Sequence, residues 1–475
     1  MRFIFFIPLL LASCLANNNS KVKNESQEAD SFFPDEKVKE ILELIKEPFF
    51  PDRVYNIADY GAVGDNKTDC SEAIQKAITA CSEGGGGKVL IPEGIYQTKA
   101  IHLKSNVNLH IGDGAVLKFS TNPQDYLPLV KSRWEGVDCY NYSPLIYAYQ
   151  QENIAITGKG TLDGQSDNTH WWPWKGRIQY GYKPGMDSQL KPESRDLLLS
   201  FEQESVPIEE RKMGEGHFLR PPFIQTYECK NILIEDIIIE RAPFWLIHPV
   251  FSENIIVRGI VETSNGPNND GCDPESCKNV LIEDCYFNNG DDCIAIKSGR
   301  NNDGRKWNIP SKNIIIRNCE MKNGHGGVVI GSEVSGGCSD VFVYDCKMNS
   351  PELDRAIRIK TNAIRGGLIE NVYVKNIEIG QVKESVLKIN CQYEIRSEKG
   401  EFPPLIQNIY LENITSKESK YPLYLVGLSN HKSIKNIYIL NSRFDGVKKN
   451  NKIAHVEGLH TENLFINGKL FSADE

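Results

Sequence analysis

The sequence predicts an all-β protein folded as a single-stranded, right-handed parallel β-helix, with an N-terminal capping helix and a helical and loop insertion. Short alternating strands rich in Ile and Val recur along the chain, and each opens with Asn or Asp. The repeats begin at Asn231, Asn254, Asn279, Asn313, Asp340, Asn371, Asn408 and Asn436. Strands at this irregular period of 23 to 37 residues, with Asn at the turns and few long helical patterns, are typical of stacked coils.

A shared column of cysteine and isoleucine supports this register. Cys285, Cys319 and Cys346 each lie six residues after the opening residue of their repeat, and Ile holds that offset in other repeats. We expect these thiols to stack inside the coil as small apolar groups. Exported proteins normally use cysteines as disulfides, and a bridge between Cys272 and Cys277 stays open. No CxxC or His-rich spacing indicates zinc, and no metal or other cofactor is expected.

The first 13 residues are predicted to be a signal peptide. Arg2 precedes an apolar stretch over residues 3–12, which has the length of a signal-peptide core and is too short to span a bilayer. The stretch ends in Leu-Ala-Ser-Cys14, which resembles a bacterial lipobox and predicts that Cys14 carries a lipid. We therefore expect a lipoprotein of the bacterial cell envelope, in the outer membrane or the periplasm. The alternative is an ordinary signal peptide and a secreted protein.

Two helices are predicted ahead of the main repeats. Residues 14–50 should form a polar tether and a short helix over about residues 36–46, which packs outside the domain of residues 51–475. A second helix should run from Thr68-Asp69 to about Ser82 and stop at the glycines from Gly84 onward. Such a helix would cover the open end of the coil.

One interval is too long for a single coil. Asn153 and Asn231 are 78 positions apart, which indicates an insertion over about residues 164–222. The insertion holds three tryptophans, which are Trp171, Trp172 and Trp174.

The net charge of the chain argues against one class of ligand. Lys and Arg number 54 against 63 Asp and Glu, a net charge of −9, which gives no support to nucleic-acid binding. No apolar run reaches the roughly 18 residues of a spanning helix. An acidic partner would therefore need a locally basic pocket.

The chemistry is predicted to lie in one stacked column. The segments DDCIAIKS, HGGVVIGS and DRAIRIKT align without gaps from Asp291, His325 and Asp354. One coil earlier, Asn269-Asp270 precedes GCDPES at the same spacing. Because neighbouring strands lie roughly 4.8 Å apart, Asp270 and Asp292 should form a close carboxylate pair with shifted pKa values.

Cations and glycines complete this column. Gly290 permits an irregular backbone that could aim both following aspartates outward, and the glycines around His325 would let a substrate approach the backbone. Arg358 and Lys360 alternate with Ile, so both should face away from the core. The alternative is that the polar pairs are turn residues and that the histidine and the cations are ordinary surface residues.

Four of these segments resemble the motifs of glycoside hydrolase family 28, the polygalacturonases. They are Asn268-Asn269-Asp270, Gly290-Asp291-Asp292, Gly324-His325-Gly326 and Arg358-Ile359-Lys360. The similarity covers roughly residues 54–465, including NIADYGAVGDNKTD and GGKVLIPEG. Two positions depart from the family pattern, since Asn269 stands where Thr is common and Gly290 where many members have Gln. The resemblance implies a pectin-lyase-like β-helix.

The resemblance also implies a reaction, which is inverting hydrolysis of α-1,4-linked galacturonic acid in pectin. Asp291 would be the general acid, Asp270 and Asp292 would be the base pair that activates water, and His325 would hold their protonation and orientation. An acidic pH optimum follows, because Asp291 must be protonated while the base pair is not.

Substrate contacts are implied at three further positions. Arg358 and Lys360 would bind the uronate carboxylate beside the cleaved bond. Tyr393 lies at the family's approximate spacing for a substrate-contacting tyrosine, with simple packing as the alternative.

The early position of the insertion favours an exo-acting enzyme, since an enzyme that trims chain ends needs a wall across its cleft. The three tryptophans of the insertion are candidate platforms for sugars, or else they pack on the outside of the coil. A rhamnogalacturonan hydrolase of the same family is the main alternative. A pectate lyase would need Ca²⁺-binding carboxylates and a basic residue, and a non-catalytic glycan-binding β-helix is the third reading. The three aspartates and the Gly-His-Gly segment argue against the last two.

Overall fold

The computed structural model describes residues 31–394 and 399–473. The predicted signal peptide, Cys14 and most of the tether lie outside the described residues. Within the described ranges, no helix is both long and apolar enough to cross a membrane.

Successive coils contribute strands to three stacked columns, called here the first, second and third sheets. The first sheet contains Val54–Asn56, Gly87–Ile91, Val107–Ile111, Glu152–Gly158, Lys230–Glu235, Glu253–Arg258, Lys278–Glu283, Ser311–Arg317, Cys338–Tyr344, Leu368–Gln381, Leu405–Glu418, Ile434–Leu440 and Glu457–Glu462. All these strands pair in parallel, which confirms the predicted β-helix.

The second sheet lies one corner further along each coil. Its strands are Asp65–Asp69, Gly94–Thr98, Ala115–Phe119, Thr161–Asp163, Ile238–Glu240, Val261–Ser264, Tyr286–Asn289, Glu320–Met321, Lys347–Met348, Arg443–Phe444, Phe465–Ile466 and the antiparallel Lys469–Leu470. Leu368–Gln381 and Leu405–Glu418 run through both the first and the second sheet.

The third sheet carries the predicted site. Its strands are Ile101–His102, Ile146–Tyr149, Ile224–Tyr227, Ile294–Ile296, Val328–Gly331, Arg355–Lys360, Ser385–Asn390, Tyr421–Val426 and Lys452–Ala454. Single bridges at Ile247 and Cys272 continue the column between Ile224 and Ile294.

The asparagines that open the repeats form a ladder along the first sheet. The Nδ2 of Asn254 donates to Oδ1 of Asn231 at 3.1 Å, and Asn279 donates to Asn254 at 3.2 Å. Asn313 continues the ladder with a bond of 2.9 Å to Asn279. All four have φ between 55° and 58°, a left-handed conformation that asparagine tolerates better than most residues. The ladder therefore explains why Asn recurs at this turn.

The coil interior is filled by aliphatic side chains and thiols. Cys285, Cys319 and Cys346 are each no more than 2% exposed and belong to the main hydrophobic core, as the register predicts. The twelve cysteines of the described chain are all free and buried. Cys272 and Cys277 are therefore not bridged.

Two helices cover surfaces that the coils leave open. Helix α1 (Asp35–Leu44) buries Val38 and Ile41 against the outer face of the first sheet, where Leu233 and Ile256 contribute to the same cluster. Helix α2 (Ser71–Glu83) buries one face in the core of the first coil and so caps it. It begins after the expected Thr68-Asp69, because Asp69 lies in a strand and accepts a hydrogen bond from the amide of Ser71 at 3.0 Å.

The long interval between coils has little regular structure. It contains the short helices Trp172–Lys175, Ile178–Tyr180, Pro192–Asp196 and Ile208–Glu210, helix α3 (Leu197–Gln203) and the strand Lys212–Met213. That strand pairs with a hairpin, Val130–Trp134 and Val137–Asn141, which the sequence analysis did not anticipate. A buried ion pair of 2.5 Å between Arg211 and Asp303 joins the interval to helix α4 (Asn301–Trp307).

Candidate active site

The third sheet has the register that the aligned segments predict. Val328 pairs with Ile294 on one side and Ile357 on the other, so the residues three positions earlier, Asp291, His325 and Asp354, share one column. Cys272 pairs with Ile294, which sets Asp270 beside Asp292. The amide of Gly271 donates to the carbonyl of Asp292 at 3.0 Å, as expected of adjacent parallel coils.

A cleft of about 610 Å³ opens over this column. The predicted residues that line it are Asp270, Asp291, His325, Arg358, Lys360 and Tyr393. Asp292 has no exposed side-chain surface and lies behind them. Lys175, Arg177 and Arg195 of the insertion line the cleft as well. The cleft therefore brings together charges from the coils and from the insertion.

The three aspartates form a compact group, in which one oxygen of each lies within 4.8 Å of the others. Asp292 is held ionised by two cations, because the Nζ of Lys360 donates to its Oδ2 at 2.7 Å and Arg358 contacts its Oδ1 at 3.4 Å. Burial raises the pKa of Asp292, but the charges of Lys360 and Arg358 outweigh it and leave this pKa below its usual value.

Asp270 has the opposite electrostatic environment. Burial raises its pKa, the carboxylates of Asp273 and Asp291 raise it further, and the ammonium of Lys297 at 3.6 Å only partly opposes them. The pKa of Asp270 therefore lies well above its ordinary value. Its Oδ1 has no hydrogen-bond partner in the described structure and is free to contact a ligand or water.

His325 and Asp291 form a coupled pair at the floor of the cleft. The Nδ1 of His325 lies 2.8 Å from Oδ1 of Asp291, which also accepts a bond of 3.0 Å from the amide of Asp292. Burial raises the pKa of Asp291, yet the charge and the hydrogen bond of His325, together with the charges of Lys360 and Lys175, outweigh burial and hold this pKa well below its usual range. In return, the Asp291 carboxylate raises the pKa of His325 to about 9. The resting proton of the pair therefore lies on the imidazole.

Two glycines fit this column for reasons that the sequence analysis did not give. A Cβ on Gly290 would lie 2.1 Å from the carbonyl oxygen of Gly266, so the close approach of two coils requires glycine there. Gly324 has φ of 153°, and its Cβ would lie 2.5 Å from the carbonyl oxygen of Asp291. The expectation that the glycines leave space for a substrate is therefore wrong at Gly324, where a neighbouring coil fills that space.

Tyr393 packs against the two cations at the other end of the column. Its ring centroid lies 5.4 Å from the guanidinium carbon of Arg358 and 5.3 Å from Nζ of Lys360. These contacts orient the cations toward Asp292 while the tyrosine itself lines the cleft. The ring is therefore both packed and accessible to a ligand.

The sequence analysis missed a buried charge cluster behind the aspartates. The Nζ of Lys297 lies 3.6 Å from Asp270, 4.0 Å from Asp273 and 3.6 Å from Glu333. It also lies 4.4 Å from the ring centroid of Trp245. The sequence did indicate that Lys297 lies near the site, because it occupies the same column as Lys360 in the aligned segments.

The tryptophans of the insertion do not line the cleft, so the expectation that they are sugar platforms is wrong. Trp171 is buried, and the Nε1 of Trp172 donates to the carbonyl of Ala242 at 2.9 Å. Trp174 packs edge-to-face on Trp171, with ring centroids 5.1 Å apart. The rings instead supply the apolar contacts that hold an irregular segment together.

The three aspartates are also the described residues whose geometry could hold a metal ion. Divalent cations such as Ca²⁺ and Mg²⁺ favour carboxylate oxygens, but Lys297, Arg358 and Lys360 already lie against these groups. Independence from metals and cofactors therefore stays a prediction.

The chain is similar to known glycosyl hydrolases over most of its length. The model of glycosyl hydrolases family 28 matches residues 211–464, and a model described as rhamnogalacturonase A/epimerase, pectate lyase-like, matches residues 54–176. The chain is 31% identical over 340 residues to a probable polygalacturonase of Vitis vinifera, covering 69% of this chain and 61% of that protein.

Two further similarities concern exo-acting proteins. The chain is 26% identical over 389 residues to an exo-poly-alpha-D-galacturonosidase of Dickeya chrysanthemi, covering 77% of this chain and 62% of that protein. It thus spans about three fifths of the length of either curated relative. The crystal structure of a hyperthermoactive exopolygalacturonase from Thermotoga maritima superimposes with a TM-score of 0.89 at 44% identity, covering 92% of this chain and 97% of that one.

Proposed function

The chain belongs to glycosyl hydrolases family 28, and from this premise we propose that it hydrolyses α-1,4-linked galacturonic acid in pectic chains from one end. The observation that carries the proposal is the cleft in which the Asp291–His325 pair faces Asp270 and Asp292. Such a group of carboxylates with separated pKa values supports general acid and general base chemistry.

We infer that the acid is the Asp291–His325 pair rather than an isolated carboxylic acid. The proton that the resting pair holds on Nδ1 lies one hydrogen bond from Asp291. As negative charge develops on the leaving glycosidic oxygen, this proton passes through Asp291 to that oxygen. His325 thus supplies the acid with its proton at pH values where an ordinary aspartic acid is ionised.

The base is the pair formed by Asp270 and Asp292, which titrates as one unit because the carboxylates are close together. Asp270 lines the cleft with an unpartnered oxygen, so it is the group that contacts the attacking water. In its ionised form Asp270 accepts the proton that water releases, and its raised pKa makes it the stronger base of the pair, while Asp292 stays ionised beside Lys360 and Arg358.

Inversion at the anomeric carbon is part of the proposal. Inverting enzymes generally separate acid and base by about 6.5 to 9.5 Å, and the 4.8 Å group found here is tighter. The family supports inversion despite this spacing. Proton NMR of the first product tests it, because inversion releases the β-anomer and retention releases the α-anomer.

Action at chain ends is supported by the insertion. Its residues Lys175, Arg177 and Arg195 line the cleft from the side of the earlier coils, whereas Arg358 and Lys360 lie one coil beyond His325. A chain that runs along the column would meet the insertion at one end. The exo-acting proteins of Dickeya chrysanthemi and Thermotoga maritima agree with this reading.

Export and anchoring complete the proposed function. We propose that residues 1–13 are removed and that Cys14 carries a lipid that holds the enzyme in the bacterial envelope, with secretion as the alternative. Metabolic labelling with an alkyne fatty acid tests this, and Cys14→Ala should abolish the label. Unchanged labelling of the Cys14→Ala protein would contradict a lipid on Cys14.

A substrate panel tests the reaction class. Without calcium, the purified protein should release reducing ends from polygalacturonate with no ultraviolet absorbance of an unsaturated product, which a lyase would form. Cleavage of rhamnogalacturonan alone would favour the second candidate, which the match of residues 54–176 supports. Binding of either polymer without cleavage would favour a glycan-binding protein.

A further inference from the structure

Three cations on the insertion side of the cleft have no carboxylate partner in the described part of the chain. Lys175 and Arg177 line the cleft, and Arg220 lies fully buried close to Lys175. Among the residues that the structure describes, no carboxylate oxygen lies within ion-pair distance of these three side chains. Uncompensated positive charge is therefore concentrated at this end of the cleft.

Lys175 and Arg220 donate hydrogen bonds to neutral oxygens, and the guanidinium carbon of Arg220 also lies 5.1 Å from the ring centroid of Phe244. The Nζ of Lys175 and Nη2 of Arg220 both donate to Oδ1 of Asn268, at 2.7 and 2.9 Å. Nη1 of Arg220 donates to the carbonyls of Pro243 and Pro267, while its Nε has no partner in the described structure. Burying a cation without an anion is unfavourable, and the focused positive potential attracts an anionic ligand.

Other cations of the cleft already have carboxylate partners. Arg358 and Lys360 are paired with Asp292, and Arg195 is paired with Glu135 at 2.7 Å. These ion pairs leave less charge available for a substrate. The unpaired cations of the insertion therefore offer the stronger attraction for a free carboxylate.

We propose that Lys175 and Arg177, with Arg220 behind them, form a subsite for the carboxylate of the terminal sugar at the walled end of the cleft. The inference rests on the proposed function, which supplies the uronate. The site adjoins the proposed catalytic group, because Lys175 lines the same cleft as Asp291 and bonds to Asn268, two residues before Asp270. Burial and the charge of Arg220 lower the pKa of Lys175 to about 8, as expected of a cation that lacks its anion.

The test measures binding without turnover. Calorimetric titration of the mature protein at pH 6 with galacturonic acid, and with galactose as its neutral counterpart, reports on the carboxylate alone. Lys175→Met should weaken galacturonic acid binding by about 10- to 100-fold, the size expected for a lost hydrogen bond to a charged group. The matched control is Lys183→Met, which removes an exposed lysine of the insertion that does not line the cleft and should change nothing.

A second variant keeps the proposal testable if Lys175→Met does not fold. Arg177 is exposed, so Arg177→Met should fold normally and should also weaken galacturonic acid binding. Equal affinity for galacturonic acid in the wild type and in the folded variants would overturn the proposal. A shifted pH profile with unchanged binding would overturn it as well, since Lys175 would then act only through Asp291.

The subsite and the proposed reaction can fail separately. If polygalacturonate is not cleaved but galacturonic acid binding depends on Lys175, the subsite stands and the reaction is wrong. If polygalacturonate is cleaved and binding does not depend on Lys175 or Arg177, the reaction stands and the subsite is wrong.

Discussion

The imidazole of His325 holds its Nδ1 2.8 Å from the carboxylate of Asp291, so that the two residues share one proton. Each residue shifts the pKa of the other, since Asp291 raises the pKa of His325 to about 9 and His325 lowers the pKa of Asp291. The pair therefore keeps its proton through neutral pH. An enzyme that relied on an isolated aspartic acid would lose its acid form several pH units earlier.

Replacement of His325 should change the pH dependence of catalysis. In the wild type, the basic limb of kcat/KM should follow the loss of the shared proton near pH 9. This differs from the acidic optimum expected from the sequence, which assumed that Asp291 itself is protonated, because the resting proton lies on His325. In His325→Gln, the limb should move to lower pH because Asp291 alone must hold the proton, and kcat should fall by about 10²- to 10⁴-fold. The exposed His170 of the insertion supplies the control His170→Gln. An unmoved basic limb would show that the pair is not the acid.

Replacement of the two base carboxylates should have different effects on the stability of the protein. Asp292→Asn leaves Lys360 and Arg358 buried without their anion and should cost about 3 to 5 kcal/mol of unfolding free energy. Asp270→Asn removes a carboxylate whose burial is poorly compensated, so its thermal midpoint at pH 7 should equal or exceed that of the wild type. Both variants should lose activity by at least about 10³-fold. Equal destabilisation of the two variants would contradict these assigned environments.

A buried carboxyl next to the site should make stability depend on pH. Glu262 is buried and its Oε2 accepts a bond of 3.1 Å from Nδ2 of Asn289, two residues before Asp291. Burial raises its pKa from 4.5 to about 8, so the folded protein holds a proton that the unfolded chain releases between these values. The free energy of unfolding should therefore fall as pH rises through this window.

Glu262→Gln keeps the acceptor and removes this titration. The thermal midpoint of the variant should match the wild type near pH 4.5 and exceed it increasingly toward pH 8. The exposed Glu209→Gln is the control and should show no such trend. A variant that is less stable than the wild type at pH 8 would mean that Glu262 is ionised in the folded protein.

Removal of metal ions should leave hydrolysis unchanged. The three aspartates are balanced by Lys297, Arg358 and Lys360, so no divalent cation is required to hold them together. Initial rates before and after dialysis against a chelator test this directly. A loss of activity that one added cation restores would assign that cation to the aspartate group.

The repeated part of the molecule was largely predictable from the sequence. Each coil places equivalent residues in equivalent positions, so a gap-free alignment of three segments was enough to set Asp291, His325 and Asp354 in one column. The Asn ladder and the interior thiols follow from the same regularity. In a repeat protein, residues at equivalent positions of neighbouring repeats lie next to each other, so spacing in the sequence predicts contact in the structure.

The features that escaped prediction depend on contacts between non-equivalent segments. The packing of Trp171 and Trp174 arises inside an insertion that has no repeat to read. Lys297 was in the aligned letters, but its contacts with Asp273 and Glu333 join three different coils. Lys175 has no carboxylate partner among the described residues, and this depends on its surroundings and not on its position in the chain.

The most direct test of the account is the time course of products from polygalacturonate, with wild type and Asp291→Asn compared without calcium. We predict that galacturonic acid is the first and only small product from the earliest time point, and that Asp291→Asn releases none. Early appearance of mixed oligomers would contradict a cleft closed by the insertion. Undiminished monomer release by Asp291→Asn would contradict the assignment of the acid.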